Sequence, residues 1–385
     1  MPDGSRRIDL PKPRAVRRYA LEQLSHFDLS IPPVDPSGCA LSGDRGEDMK
    51  EAMLYSPLED GKVQCHLCNH RCIISPAKRG VCGVRENRGG KLYTLVYGRA
   101  ISLNVDPVEK KPLFHLFPGS TSFSIAAVGC NFRCLQCQNH EISQLPRDPK
   151  GRIEGSEVSP SKVVSLAKQS RCQSISYTYT EPTIYFEYAY DIAREARQEG
   201  MKNIFVTNGY MTEEALETIR PSLDAANVDL KSFREKFYKE VCGARLEPIL
   251  ENLKRMRRMG IWVEITTLVI PTLNDSDQEF HEIARFILSL GPEVPWHLSA
   301  FYPTYKMLDL PRTPAATLHR AREIGIREGL RYVYCGNIPG EEGEDTFCPH
   351  CGRRLIERVG FRVGKNDVVG GACRHCHGQI EGIWS

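Results

Sequence analysis

The chain has 385 residues, with 51 Lys and Arg against 48 Asp and Glu, and a formal net charge of +3. That balance gives no global field that would make nucleic acid or an anionic membrane an obligatory partner. A hydrophobic content of 41% suffices for a large core, yet no run approaches the roughly eighteen uninterrupted apolar residues of a membrane span.

Residues 1–55 read as a partly ordered arm, with Pro11, Pro13, Pro32, Pro33 and Pro36 and one predicted helix, Arg14–Ser25. Its basic residues, Arg6, Arg7, Lys12, Arg14, Arg17 and Arg18, precede no apolar region, so the segment does not read as a secretory leader and a cytoplasmic location is expected. The chain carries 15 cysteines. Eleven fall into three compact groups, which in a reducing compartment reads as metal binding; Cys39, Cys172, Cys242 and Cys335 read as small buried hydrophobes.

Residues 56–120 form a cysteine-rich extension. Its run C-H-L-C-N-H-R-C places Cys65, Cys68 and Cys72 together, and Cys82 follows the Gly80 turn. Four thiolates suit either zinc or a second four-iron cluster, with His66 and His70 as alternates.

From 121 to 340 short β-branched or aromatic runs alternate with longer helical patterns, the sign of β-α units on a parallel sheet. Six strands are predicted, at 123–129, 174–180, 203–207, 226–230, 262–270 and 297–302. Helices are predicted at 182–199, 246–259, 275–290 and 314–328. This is an α/β fold, an incomplete (β/α)6 TIM-like barrel, whose active site belongs at the C-terminal strand ends. The basic run K-R-M-R-R-M-G at 254–260 reads as the solvated face of a helix. Residues 341–385 form a zinc-ribbon-like module in which Cys348, Cys351, Cys373 and Cys376 make two C-x-x-C knuckles for one Zn2+. Six Lys or Arg against seven Asp or Glu there argue against a phosphate grip, so nucleic acid is not an expected partner.

The chemistry concentrates where the first barrel strand ends. Cys130, Cys134 and Cys137 lie in G-C-N-F-R-C-L-Q-C-Q-N, a spacing that wraps three thiolates around one iron–sulfur cube. No fourth cysteine follows within thirty residues, so one iron is left open, as in a site that binds a ligand. Zinc completed by another residue such as His140 is the alternative for the three cysteines alone. Later strand ends deliver Tyr179, Thr180 and Glu181, then Thr207 and Asn208, then Asp229 and Lys231, with His297 and Ser299 on the last strand. Each has a plainer reading: Glu181 as a cap of the helix starting at Pro182, Asp229 and Lys231 as a solvated pair, His297 as a structural histidine.

C-x-x-x-C-x-x-C after a barrel strand resembles the signature of the radical S-adenosylmethionine (SAM) enzymes. The strings D-P-V-E-K-K-P-L-F-H at 106–115, C-N-F-R-C-L-Q-C-Q-N-H-E-I-S at 130–143 and Y-T-Y-T-E-P-T-I-Y-F at 177–186 resemble the AmmeMemoRadiSam-system branch, relatives of the pyruvate formate-lyase activating enzymes. The resemblance implies a [4Fe-4S] cluster on Cys130, Cys134 and Cys137 with SAM on the fourth iron. It implies that Glu181, in a loop similar to G-G-E-P, holds the methionine ammonium, and that Asn208, Asp229, Lys231 and His297 contact ribose, carboxylate and adenosyl parts. Two departures stand out: Gln136 where the family has an aromatic residue on adenine, and Tyr179 and Thr180 in place of two glycines.

The function this implies is reductive cleavage of SAM to a 5′-deoxyadenosyl radical, which takes hydrogen from a substrate. The electron donor would be a flavodoxin or ferredoxin. The substrate would be a glycyl-radical partner protein, or a small molecule in a system with Memo-like and AMMECR-type partners. The rival from another class is a non-catalytic zinc-binding adaptor carrying zinc in all three cysteine groups.

Overall fold

The computed structural model describes residues 49–338 and 342–384. The predicted helix Arg14–Ser25 and Cys39 lie outside the described residues. At the centre is one eight-stranded sheet. Its strands in chain order are β1 (Ser102–Pro107), β2 (Thr121–Ala126), β3 (Ser174–Tyr177), β4 (Lys202–Thr207), β5 (Ala225–Asp229), β6 (Trp262–Val269), β7 (Trp296–Ala300) and β8 (Val333–Gly336). Spatial order equals chain order. Strands β2 to β8 are parallel, and β1 pairs antiparallel with β2 at one edge.

Parallel neighbours need a crossover, and helices supply it: α1 (Pro160–Gln169), α2 (Phe186–Gln198), α3 (Glu213–Ile219), α4 (Glu247–Arg258), α5 (Asp277–Leu290) and α6 (Ala315–Arg327). Helix α5 shows why they form. Ser276 caps it by accepting from the Glu279 amide, and Phe280, Ile283, Ala284 and Ile287 bury one face against the sheet at helical spacing. On α4, Ile249, Leu253 and Met256 face inward, while Arg255 and Arg257 pair with Glu213 and Glu293. The basic run is thus an ion-paired helix face.

All six predicted strands are present. Helices α1 and α3 and two further strands were not predicted. Strand β8 is a four-residue run whose Val333, Tyr334 and Cys335 are buried, too short to stand out by periodicity. Strand β1 carries Asn104 and Asp106 and has no clean alternation, because it is an edge strand that Asp106 ties down by other means.

The extension packs a three-stranded antiparallel sheet, Tyr55–Pro57, Val63–Cys65 and Ile73–Ile74, beside a hairpin of Arg85–Arg88 and Lys91–Thr94. It is fastened to the sheet domain by Asn69 Nδ2, which donates to the Met211 carbonyl at 2.7 Å, and by the buried Arg85–Glu187 ion pair at 2.6 Å. At the other end, Thr346–Phe347, Arg354–Val359 and Arg362–Asn366 form a second small antiparallel sheet. Cys348, Leu355, Ile356, Cys373 and Ile380 share a core with Phe114, Tyr332 and Tyr334. A segment of this size buries too little apolar surface to stand alone, and here it borrows that of the sheet domain.

Candidate active site

The three-cysteine loop begins at Gly129, where φ is +104° and a Cβ would come within 2.8 Å of Val84 Cγ1 and 3.2 Å of the Cys82 carbonyl. Only glycine fits there. The loop's backbone is then held at several points. Arg133 N donates to the Cys242 carbonyl at 2.8 Å and Leu135 N to the Val241 carbonyl at 3.0 Å. The Arg147 guanidinium donates to the carbonyls of Cys130 at 2.6 Å, Phe132 at 2.7 Å and Val81 at 2.7 Å. Phe132 N points at Cys130 Sγ from 3.3 Å, and Ser143 Oγ lies 3.3 Å from Cys137 Sγ. Amide and hydroxyl dipoles of this kind favour thiolates.

Around the loop stand the ends of the next strands. Glu181 follows β3 and is buried; its Oε1 accepts from Thr183 N at 3.1 Å, Thr183 Oγ1 at 2.5 Å and Thr207 Oγ1 at 2.7 Å, and its Oε2 from Asn208 N at 2.8 Å. It therefore caps the turn that starts at Pro182 and also locks the β3 and β4 ends together. Burial raises its pKa from the usual carboxylate value, against those donors. Asn208 turns its Nδ2 to Asn131 Oδ1 at 2.7 Å and lies 4.0 Å from Cys130 Sγ.

Lys231 Nζ meets Asp229 Oδ2 at 2.7 Å. Burial alone would lower the lysine's pKa, but Asp229 and the sulfurs of Cys134 and Cys242 hold it well above its usual value. The pair is half-buried, with the lysine the less exposed partner. The lysine backbone is fixed as well: its N–H reaches Tyr238 Oη at 2.9 Å, and its carbonyl accepts from Asn274 Nδ2 at 2.7 Å.

His297 is placed differently. Its Nε2 is bonded to Glu264 Oε2 at 2.6 Å, and its ring packs between Phe114 and Tyr334 in a buried nest. Glu264 in turn accepts from the backbone of Phe114 and His115 at 3.0 and 2.8 Å. These contacts are those of the structural histidine, and none joins it to Glu181, Asn208, Asp229 or Lys231.

Sequence reasoning missed several contributors. Cys242, read as a lone hydrophobe, closes a π-helical turn, Tyr238–Cys242, and its thiol hydrogen-bonds Cys134, holding that sulfur below the ordinary thiol range, while burial pushes Cys242 itself well up. Such turns recur at functional sites. Asn131 Nδ2 and Gln136 Oε1 are buried without a partner. No local pattern singles out Asn131, Arg147, Cys242 or Asn274; the signal for Gln136 was its departure from the aromatic residue of similar sequences. An open cleft of about 820 Å³ flanks the loop on the side of Arg79, Val81, Arg133, Gln144, Arg147 and Lys306.

The C-terminal cysteines are close together. Cys348 and Cys376 sulfurs are 3.7 Å apart and those of Cys351 and Cys373 3.8 Å apart. All four lie within 4.8 Å of one another, and among the described residues this is the one such group of three or more metal-ligating side chains.

Residues 124–287 match the Radical SAM superfamily. The chain is 48% identical over 336 residues to an uncharacterized protein, MJ0808, of Methanocaldococcus jannaschii, covering 86% of this chain and 99% of that one. It is 24% identical over 171 residues to pyruvate formate-lyase 1-activating enzyme of Escherichia coli, covering 42% of this chain and 67% of the enzyme. Among solved structures, Streptococcus suis SuiB bound to S-adenosylmethionine aligns with a TM-score of 0.46 at 16% identity, over 60% of this chain and 53% of SuiB. No helix among the described residues is long and apolar enough to cross a membrane. The chain belongs to the radical SAM superfamily and is related to the pyruvate formate-lyase activating enzymes.

Proposed function

We propose that Cys130, Cys134 and Cys137 hold the [4Fe-4S] cluster of this radical SAM enzyme, and that Asn208, Asp229 and Lys231 receive SAM beside it. The donor set fits. Cys130 meets an amide, Cys137 a hydroxyl and Cys134 the Cys242 thiol, and the three are not drawn together as the four C-terminal cysteines are. When bound, the cluster supplies one electron to SAM, whose C–S bond breaks to give the 5′-deoxyadenosyl radical that takes a hydrogen atom.

The chain's own residues orient and enclose. Lys231, held charged at the thiol loop, is suited to the methionine carboxylate, and Asn208 to the ribose or amino group. Glu181 already accepts from four protein donors, three on Oε1 and one on Oε2, so we assign it to positioning Asn208 rather than to gripping the ammonium. The buried sheet core beneath excludes water from a radical that would react with most C–H bonds. The observation that carries this reading is the convergence of the β3, β4 and β5 ends on one thiol loop, with Asn208 Nδ2 at 4.0 Å from Cys130 Sγ.

Relatedness to activating enzymes supports a protein substrate whose backbone glycine gives up the hydrogen, with a flavodoxin or ferredoxin as electron donor. We read the incomplete barrel as the catalytic body and the C-terminal cysteines as a zinc ribbon, since tetrahedral Zn–S bonds of about 2.3 Å put sulfurs roughly 3.8 Å apart.

Oxygen-free protein with strong reductant and SAM is expected to release 5′-deoxyadenosine, and Cys130→Ala to abolish it. Protein that binds four irons at the loop and SAM yet releases none would overturn the catalytic reading. EPR of a glycyl radical in a supplied partner supports the protein substrate; its absence, with hydrogen loss from a small molecule, supports the Memo-like and AMMECR-type system instead.

A further inference from the structure

We infer that Cys65, Cys68, Cys72 and Cys82 hold a second [4Fe-4S] cluster, not zinc, and that it passes one electron to the cluster at Cys130. The C-terminal set gives the internal standard. There the sulfurs are 3.7 and 3.8 Å apart across the site, as one tetrahedral ion requires. No three of the N-terminal sulfurs come within 4.8 Å of one another among the described residues. The four cysteines instead surround a cavity of about 20 Å³, lined also by Ile74 and Arg85.

Arg85 supplies the second argument. It is 1% exposed, lines the cavity, and aims Nη1 at Cys65 Sγ from 3.6 Å. Its Nε is buried with no partner. A zinc tetrathiolate offers acceptors only at its cysteine sulfurs, but a cubane adds bridging sulfides inside the cavity, which would accept from this buried N–H; hydrogen bonds to sulfur also tune cluster potential.

Position supplies the electron path. The Arg147 guanidinium joins the Val81 carbonyl, next to Cys82, at 2.7 Å to the Cys130 carbonyl at 2.6 Å. A Cβ on Gly129 would lie 3.2 Å from the Cys82 carbonyl, so the two cysteine loops touch. The open cleft reaches Gly80, Val81 and Gly83, which gives a protein reductant access to this loop. One electron enters from reduced flavodoxin, takes the N-terminal cluster from the 2+ to the 1+ state, and leaves for the cluster at Cys130. No bond or proton changes.

The relay rests on the Cys130 assignment; the cluster itself does not. In oxygen-free preparations, a variant with Cys130, Cys134 and Cys137 all changed to Ala is expected to keep about four irons and four sulfides per chain, with one zinc and an EPR signal on reduction that SAM leaves unchanged. Two zincs and no iron in that variant would overturn the proposal. In the otherwise intact chain, Cys65→Ser with Cys68→Ser should lower iron from about eight to about four; iron unchanged by this pair sinks the cluster. The same variant should lose 5′-deoxyadenosine formation with reduced flavodoxin and retain it with dithionite. Equal loss with both reductants would refute the relay.

Discussion

Tyr179 donates its phenol hydrogen to Asp106 while its own backbone stands in the left-handed region at φ +62°. This is where the similar G-G-E-P loop has glycine, and a side chain there costs roughly 1–2 kcal/mol. Local contacts offset the strain. Asp106 also takes Lys111 at 2.6 Å, Lys110 at 2.8 Å and Ser124 at 2.7 Å, Lys111 Nζ lies 4.6 Å from the tyrosine ring centre, and Asn139 Nδ2 donates to the Tyr179 carbonyl at 2.7 Å. Replacing the side chain separates strain from contact. Tyr179→Ala keeps the strain and loses the side-chain contacts, whereas Tyr179→Gly loses both, so Gly should be the more stable of the two by about 1 kcal/mol in urea unfolding. An Ala variant as stable as the Gly variant would show that the loop relaxes and stores nothing.

Glu181 is tested by its amide. A glutamine has one acceptor oxygen and one two-hydrogen donor end, so with four protein donors around the group at least one donor must face another. Glu181→Gln is expected to destabilise the SAM-free protein by about 1–3 kcal/mol, measured by thermal or urea unfolding. Unchanged stability with weakened SAM binding would mean that the carboxylate meets the ligand directly.

What was legible in the sequence was local or periodic. Cys130, Cys134 and Cys137 declare themselves by spacing, and Asn208, Asp229 and Lys231 by following short β runs in a parallel pattern. The rest depends on partners distant in the chain. Asp106, Glu109, Lys111 and His115 are all buried, a placement that hydropathy argues against and that becomes favourable only through Tyr179, Arg358, Tyr334 and Glu381. Arg358, in the C-terminal module, donates to the Phe114 carbonyl at 2.8 Å and faces Glu109 at 3.8 Å. The 106–115 string is thus the seam between the central sheet and the C-terminal segment, which resemblance marked without explaining. Cys242 was invisible for the same reason: its meaning lies in Cys134, and no spacing links them.

Gln136 precedes Cys137, the third cysteine of the loop proposed to hold the cluster, where the resemblance implies an aromatic residue against adenine. It is 4% exposed and its Oε1 has no partner, an arrangement that costs about 1–3 kcal/mol unless something donates to it. The adenine amino group is such a donor. Gln136→Leu should leave iron content unchanged and weaken SAM binding by about tenfold, some 1.4 kcal/mol, read as the SAM concentration needed to alter the EPR signal of the reduced cluster. Unaltered SAM affinity would place Gln136 away from the adenosyl group.

His115 gives the fold a dependence on pH. Its Nδ1 lies 2.7 Å from the Glu381 carbonyl, which can only accept, so Nδ1 carries the hydrogen and Nε2 accepts from Tyr334 Oη at 2.7 Å. A second proton, on Nε2, would turn the Tyr334 hydroxyl from donor to acceptor. Burial lowers the folded pKa from 6.5 to about 4, with Glu264 opposing. Between those values the unfolded chain holds a proton that the folded chain refuses, so stability is full above pH 6.5 and is lost as pH falls toward 4. From pH 7 to pH 5 this one group should account for about 2 kcal/mol. His115→Gln cannot titrate, and metal loss at low pH affects both proteins alike, so the difference between their unfolding free energies should narrow by about that amount over the interval. Parallel profiles for the two proteins would show that His115 takes up a proton in the folded state.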